Sequence, residues 1–123
     1  MGETLNKRAA GSAAEQAAVE YLTAQGMRIT DVNYRCRQGE IDLIGYHGRY
    51  LVFTEVKYRQ TLRKGNPEEA VGEAKQKRIC RVADYYRYCH KLPLSTPVRY
   101  DVIAITGEEI HWYQNAFYHR YGS

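Results

Sequence analysis

A chain of 123 residues has room for one hydrophobic core but not for two ordinary domains, and 44% hydrophobic with 26% charged residues is the composition of a globular protein. No apolar run approaches the roughly 20 residues that cross a bilayer, and the charges of Met1–Arg8 are followed by no hydrophobic stretch, which argues against a membrane span or a secretory signal and for a cytoplasmic location. Cys36, Cys80 and Cys89 lack C-x-x-C spacing and the four histidines are scattered, so neither a disulfide framework nor a His/Cys metal site is expected.

The chain is read as a single domain over residues 1–123, with residues 1–10 flexible. Ser12-Ala13-Ala14-Glu15 has capping-box form and predicts a helix running to about Gln25, stopped by Gly26, with Ala14, Ala18, Val19 and Leu22 buried. Glu15 sits at the edge of that stripe. It serves either as the capping acid or as an inward-leaning carboxylate. Residues 27–35 alternate weakly and read as a first strand or extended connection.

Gly39-Glu40-Ile41-Asp42-Leu43-Ile44 and Leu51-Val52-Phe53-Thr54-Glu55-Val56-Lys57 read as two strands of a hairpin with Tyr46-His47-Gly48-Arg49 at its tip. A loop centred on His47-Gly48 pairs Asp42 with Phe53 and Glu40 with Glu55. One face then holds Glu40, Asp42, Glu55 and Lys57. Asp42 and Glu55 become diagonal neighbours able to share an ion, with Glu40 as an accessory acid.

Positive charge begins where these strands end. Lys57 to Lys91 holds ten Lys/Arg against four Asp/Glu, whereas residues 1–56 hold six against seven. A phosphate-bearing partner would account for that arrangement, as would a solvated helix face. Arg59, Arg63 and Lys64 lie in a basic segment without a core pattern. Asn66-Pro67-Glu68-Glu69 predicts the start of a longer helix to about His90, with Val71, Ile79, Val82, Ala83 and Tyr86 buried and Lys75 and Arg78 placed for phosphate contact. Tyr85, Tyr86 and Tyr88 are expected to pack. Residues 98–105 read as a covered strand and 110–114 as a last strand. The order is helix, three strands, helix, two strands, which predicts an α/β fold with a mixed sheet flanked by helices.

Two or three converging carboxylates suit Mg²⁺ or Mn²⁺, hard ions that can polarise a phosphodiester and activate water. Lys57, on the face of Glu55, is placed to orient that water or stabilise the charge that develops. The set Asp42, Glu55-Val56-Lys57, with Glu15 on a preceding helix, resembles the signature of the PD-(D/E)XK nuclease superfamily. More closely, Ala14-Glu15, residues 39–44, residues 52–59 and Ala70-Val71 resemble the YraN-like family, small bacterial proteins related to archaeal Holliday-junction resolvases. The likeness spans about Lys7 to Phe117. Ile41 stands where the superfamily motif usually has Pro.

That resemblance implies a restriction-endonuclease-like core in which Asp42, Glu55 and the Val56 backbone carbonyl are metal ligands, Glu15 is a direct or outer-sphere ligand and Lys57 is catalytic. It implies a Mg²⁺- or Mn²⁺-dependent endonuclease acting on structured or branched DNA, with no small-molecule cofactor and no membrane partner. A homodimer would supply two cutting sites. The alternative is a nucleic-acid-binding protein that keeps the fold without cutting. A third reading is a scaffold in which the acids pair with Arg59 or Arg63.

Overall fold

The computed structural model describes residues 3–58 and 71–120, with side chains described from residue 13 onward. Arg59, Arg63, Lys64 and the Asn66-Pro67 cap expected for the second helix lie outside these residues. The elements are α1 (Glu3–Ala24), β1 (Met27–Cys36), β2 (Gly39–His47), β3 (Tyr50–Tyr58), α2 (Glu73–Cys89), β4 (Val98–Thr106) and β5 (Glu109–Phe117). This is the predicted α/β order. The five strands form one mixed sheet in sequence order, antiparallel except for the parallel β3–β4 pair that α2 connects.

Each helix covers one face. Ala14, Ala18 and Leu22 of α1 pack on Leu43, Val52, Ile103 and Ile105. Ile79, Val82, Ala83 and Tyr86 of α2 pack on Ile41, Ile44, Leu51, Phe53 and Tyr100. Phe53 lies edge-on to Tyr86 at 5.7 Å and stacks on Tyr100 at 5.8 Å. Burying each of these large side chains contributes roughly 1.5–3 kcal/mol. β4 is buried along nearly its whole length, as its apolar run requires.

Three expectations are corrected. Helix α1 begins at Glu3, not at Ser12, so Ser12 lies inside the helix and Ser12–Glu15 is not a capping box. The Leu, Lys, Arg and Ala residues before it are good helix formers, and a single Gly11 costs only about 1 kcal/mol. Helix α2 begins at Glu73 behind an extended Gly72. Val71 is buried as expected but precedes the helix, its carbonyl accepting the Gln76 side-chain amide at 2.8 Å.

The third correction concerns the hairpin. His47 pairs with Tyr50 and Leu43 with Thr54, so the loop is Gly48-Arg49. Gly48 takes φ 61, the positive value that a two-residue hairpin loop beginning with glycine accommodates. Continued along the strands, this register sets Asp42 opposite Glu55 instead of Phe53, and Glu40 opposite Lys57 instead of Glu55. The displacement is two residues, so the change of register by itself moves no side chain to the other face.

A candidate metal and phosphate site where the central strands part

The β2–β3 ladder stops at Leu43–Thr54. Beyond it the two acids take over the work of the backbone. The Val56 N–H donates to Asp42 Oδ2 at 2.8 Å, and the Asp42 N–H donates to Glu55 Oε2 at 3.3 Å. Alternation is broken at the same point: Ile41 packs on the α2 side and Leu43, two residues on, packs on the α1 side. The strand therefore twists at Asp42, and its carboxylate enters the gap between strands instead of leaving either face cleanly. Both acids are fixed by the strands that carry them. A strand residue presents its N–H and C=O to the same side, so the Val56 carbonyl opens toward this gap too.

Glu55 is nearly buried, with 4% of its side chain exposed, and faces α2. Lys75 Nζ of α2 lies 2.9 Å from Glu55 Oε1. Burial, then the charge of Asp42, pushes the Glu55 carboxyl up to about 7 against the opposing pull of Lys75. Lys57 is half-buried beside them. Burial and the nearby Lys75 ammonium lower its pKa, while Glu55 and Asp42 act to raise it. Burial also pulls Lys75 down, but its bonds to Glu55 and Lys57 and the two acids win, leaving it raised. Two acids and two amines share this pocket of low dielectric.

The acids open into a hollow of about 500 Å³ between β1–β2 and α2, lined in part by Glu40, Asp42, Glu55, Lys75 and Arg78. Gly39 allows its narrow side. Its φ is 143, and a Cβ there would meet the Arg78 side chain at 3.1 Å. Glu40 leans outward to Arg35, its partner on β1, at 3.1 Å. Glu15 reaches the sheet from the α1 side, where it accepts from the Asn33 amide at 3.0 Å. Asn33, at φ 54, stands across from Asp42 in the β1–β2 register, so Glu15 is one strand away from the paired acids. Among the described residues no three His, Cys, Asp or Glu side chains converge. Two carboxylates do.

The matching family is described as "Uncharacterised protein family UPF0102", over residues 14–105. This chain belongs to the UPF0102 family. A UPF0102 protein of Lachnoclostridium phytofermentans is 49% identical over 119 residues, covering 97% of this chain and 100% of that one. A relative from Symbiobacterium thermophilum is 50% identical over 100 residues, covering 80% and 82%. One from Shewanella amazonensis is 40% identical over 107 residues, covering 87% and 97%. The matched span of this UPF0102 chain takes in Glu15, Asp42, Glu55, Lys57 and Lys75.

Sequence reasoning brought Asp42, Glu55 and Lys57 to one neighbourhood and placed Lys75 and Arg78 near it. It did not foresee that Lys75 is the direct partner of Glu55. The signal was present: Lys75 lies one helical turn before the buried Ile79, on the line of the apolar stripe, so its stem crosses toward the sheet. It also missed Tyr85 and Tyr88, expected to pack and found exposed, while Tyr86 alone is buried. No helix among the described residues is long and apolar enough to cross a membrane.

Proposed function

We propose that this UPF0102 chain is a divalent-metal-dependent phosphodiesterase of the PD-(D/E)XK kind, an endonuclease cutting structured or branched DNA. The observation that carries the reading is the pairing of Asp42 and Glu55 across parted strands, with Lys57 and Lys75 beside them. A structural hairpin has no need to replace ladder bonds with two carboxylates. Their like charges, one of them buried, call for a cation at that point.

The donors fit Mg²⁺ or Mn²⁺. Asp42, Glu55 and the Val56 carbonyl are hard oxygen donors, and Mg²⁺ commonly takes one or two carboxylates and keeps waters in its remaining positions. When bound, the ion would polarise a phosphodiester and lower the pKa of a bound water. Lys57, with its pKa depressed and its position half-buried, holds or moves a proton beside the acids and counters negative charge on a phosphate. Glu15 acts through Asn33, holding the kinked strand against Asp42. Glu40 and Arg35 set the outer rim. Lys75, Arg78 and the segment bearing Arg59, Arg63 and Lys64 meet the phosphate backbone.

The deciding experiment incubates pure protein with branched, duplex and single-stranded DNA and Mg²⁺ or Mn²⁺. Cleavage lost in Glu55→Ala and Lys57→Ala supports the reading; cleavage that survives both unchanged comes from a contaminant and removes it. The Lys75–Glu55 ion pair favours one second reading, in which the lysine permanently neutralises the site and the chain binds nucleic acid without cutting. That reading predicts salt-dependent binding and no effect of Mg²⁺ on melting temperature.

A further inference from the structure

The outer face of α2 carries a second pattern. Lys75, Arg78, Arg81, Tyr85 and Tyr88 follow one another at intervals of three, three, four and three, so they form a single stripe. It starts in the acid hollow, which Lys75 and Arg78 line, and ends in a shallow hollow of about 310 Å³ lined by Gln38, Arg81, Asp84, Tyr85 and Tyr88. At about 1.5 Å per residue the stripe runs on the order of 20 Å.

Beyond Lys75, whose ammonium Glu55 holds, the stripe is largely open to solvent. Tyr85 is 42% and Tyr88 81% exposed. No carboxylate among the described residues pairs with Arg78 or Arg81, nor with Arg37 in the β1–β2 turn beside Gln38. The one acid in the outer hollow, Asp84, is engaged by Arg87 at 4.0 Å and His119 at 3.3 Å. Cations with no carboxylate partner among the described residues, followed by exposed aromatic rings, match the chemistry of an unpaired nucleic acid strand, whose phosphates seek the cations and whose bases stack on the rings. A duplex keeps its bases stacked on one another and has no use for the tyrosines.

We infer that this stripe is a track for a single-stranded nucleic acid segment leading out of the acid hollow, with phosphates on Arg78, Arg81 and Arg37 and bases on Tyr85 and Tyr88. The inference deepens the phosphodiesterase reading, on which the role of the hollow rests: the substrate is one with an unpaired strand next to the phosphate to be cut.

Fluorescence anisotropy with labelled oligo-dT and oligo-U in EDTA tests it without any cleavage, the two arms separating DNA from RNA as the source of the strand. Tyr85→Ala/Tyr88→Ala should weaken binding by about tenfold or more per stacked base, and Tyr85→Phe/Tyr88→Phe should restore it. Arg81→Ala should lower the slope of log affinity against log salt by about 0.7. Circular dichroism melts check that each variant is folded. Unchanged binding by the folded alanine pair overturns the inference, as does absence of single-strand binding by the wild type. A concentration-dependent dimer in sedimentation that the alanine pair abolishes, with strand binding unaltered, would assign the stripe to a second copy and overturn it equally. Failure to cut any substrate with Mg²⁺ bears on the phosphodiesterase reading alone, because the binding arms need no metal.

Discussion

Glu55 gives direct access to the electrostatics of the site. Its carboxyl is raised from an ordinary 4.5 to about 7 by burial and by Asp42. Between those values the native chain keeps a proton that the unfolded chain has released. The native state binds more protons, so unfolding free energy falls as pH rises through this window and levels off above it. The whole descent amounts to roughly 3 kcal/mol, on the order of 10 °C in melting temperature for a domain of this size. Glu55→Gln keeps the shape and removes the ionisation. Urea unfolding in EDTA from about pH 4.5 to about pH 8 should therefore show the descent in the wild type and not in the variant. Mg²⁺ supplies the second arm, because a bound dication favours the ionised carboxylate. With it the wild type should recover stability at about pH 8, and Glu55→Gln should gain much less. Parallel profiles for the two proteins in EDTA would refute the reasoning, since the groups remote from Glu55 titrate alike in both.

Lys75→Met removes the ammonium from Glu55; with more than a third of the Lys75 side chain exposed, screening limits the loss in EDTA to about 1 kcal/mol, while the rise in melting temperature on adding Mg²⁺ should exceed that of the wild type because no resident cation is displaced. Equal rises would mean that Lys75 stays where it is. Asp101→Asn strips a buried carboxylate of its charge and leaves Arg99 buried and uncompensated, which should cost about 3–5 kcal/mol in urea unfolding; a loss below about 1 kcal/mol would show that Arg99 finds water. Gly45→Ala drives a Cβ to within 2.7 Å of the Arg28 carbonyl oxygen, a backbone atom, and should lower stability by about 1–3 kcal/mol, whereas a melting temperature equal to the wild type would show that β1 yields.

The order of elements was legible because each carries its own periodicity: apolar residues at helical spacing in α1 and α2, alternation in β2 and β3, an apolar run in β4. The faces of the hairpin were legible for a different reason. An error of two residues in register preserves parity, so Asp42, Glu55 and Lys57 stayed together even though the loop was placed one residue early at each end. The break in alternation at Asp42 was not legible, since it lies across from Asn33 of the neighbouring strand, whose φ of 54 no local pattern announces. The start of α1 is hidden by a strong local motif, because Ser-x-x-Glu has the form of a cap although it lies within a longer run of ordinary helix formers. Nothing along the chain announced Asp101 as buried, because its partners Arg99, Trp112 and the Asn115 N–H meet it only after β4 and β5 pair and Asn115 kinks.

That second buried acid clarifies the first. Asp101 lies on the α1 side of the sheet and is fully enclosed. Arg99 grips it through Nε and a terminal nitrogen at 2.9 Å each, and Trp112 and the Asn115 N–H add bonds at 2.8 and 2.9 Å. Arg99 is in turn held over the rings of Tyr50 and Trp112. A planar fork that holds its carboxylate through two nitrogens and lies over two aromatic rings is a fixture. Glu55, on the other side, has Lys75 as its one ion-pair partner among the described residues, a point charge on a flexible and partly exposed stem. It also has a second acid within reach and an open hollow in front. Both acids meet a cation inside one sheet, but only the one at Glu55 sits on a flexible stem that the proposed metal ion would displace without dismantling the fold. On the proposed reading, the difference between arginine and lysine at these two positions separates a structural charge from an exchangeable one, and the α2 side is the one to test for chemistry.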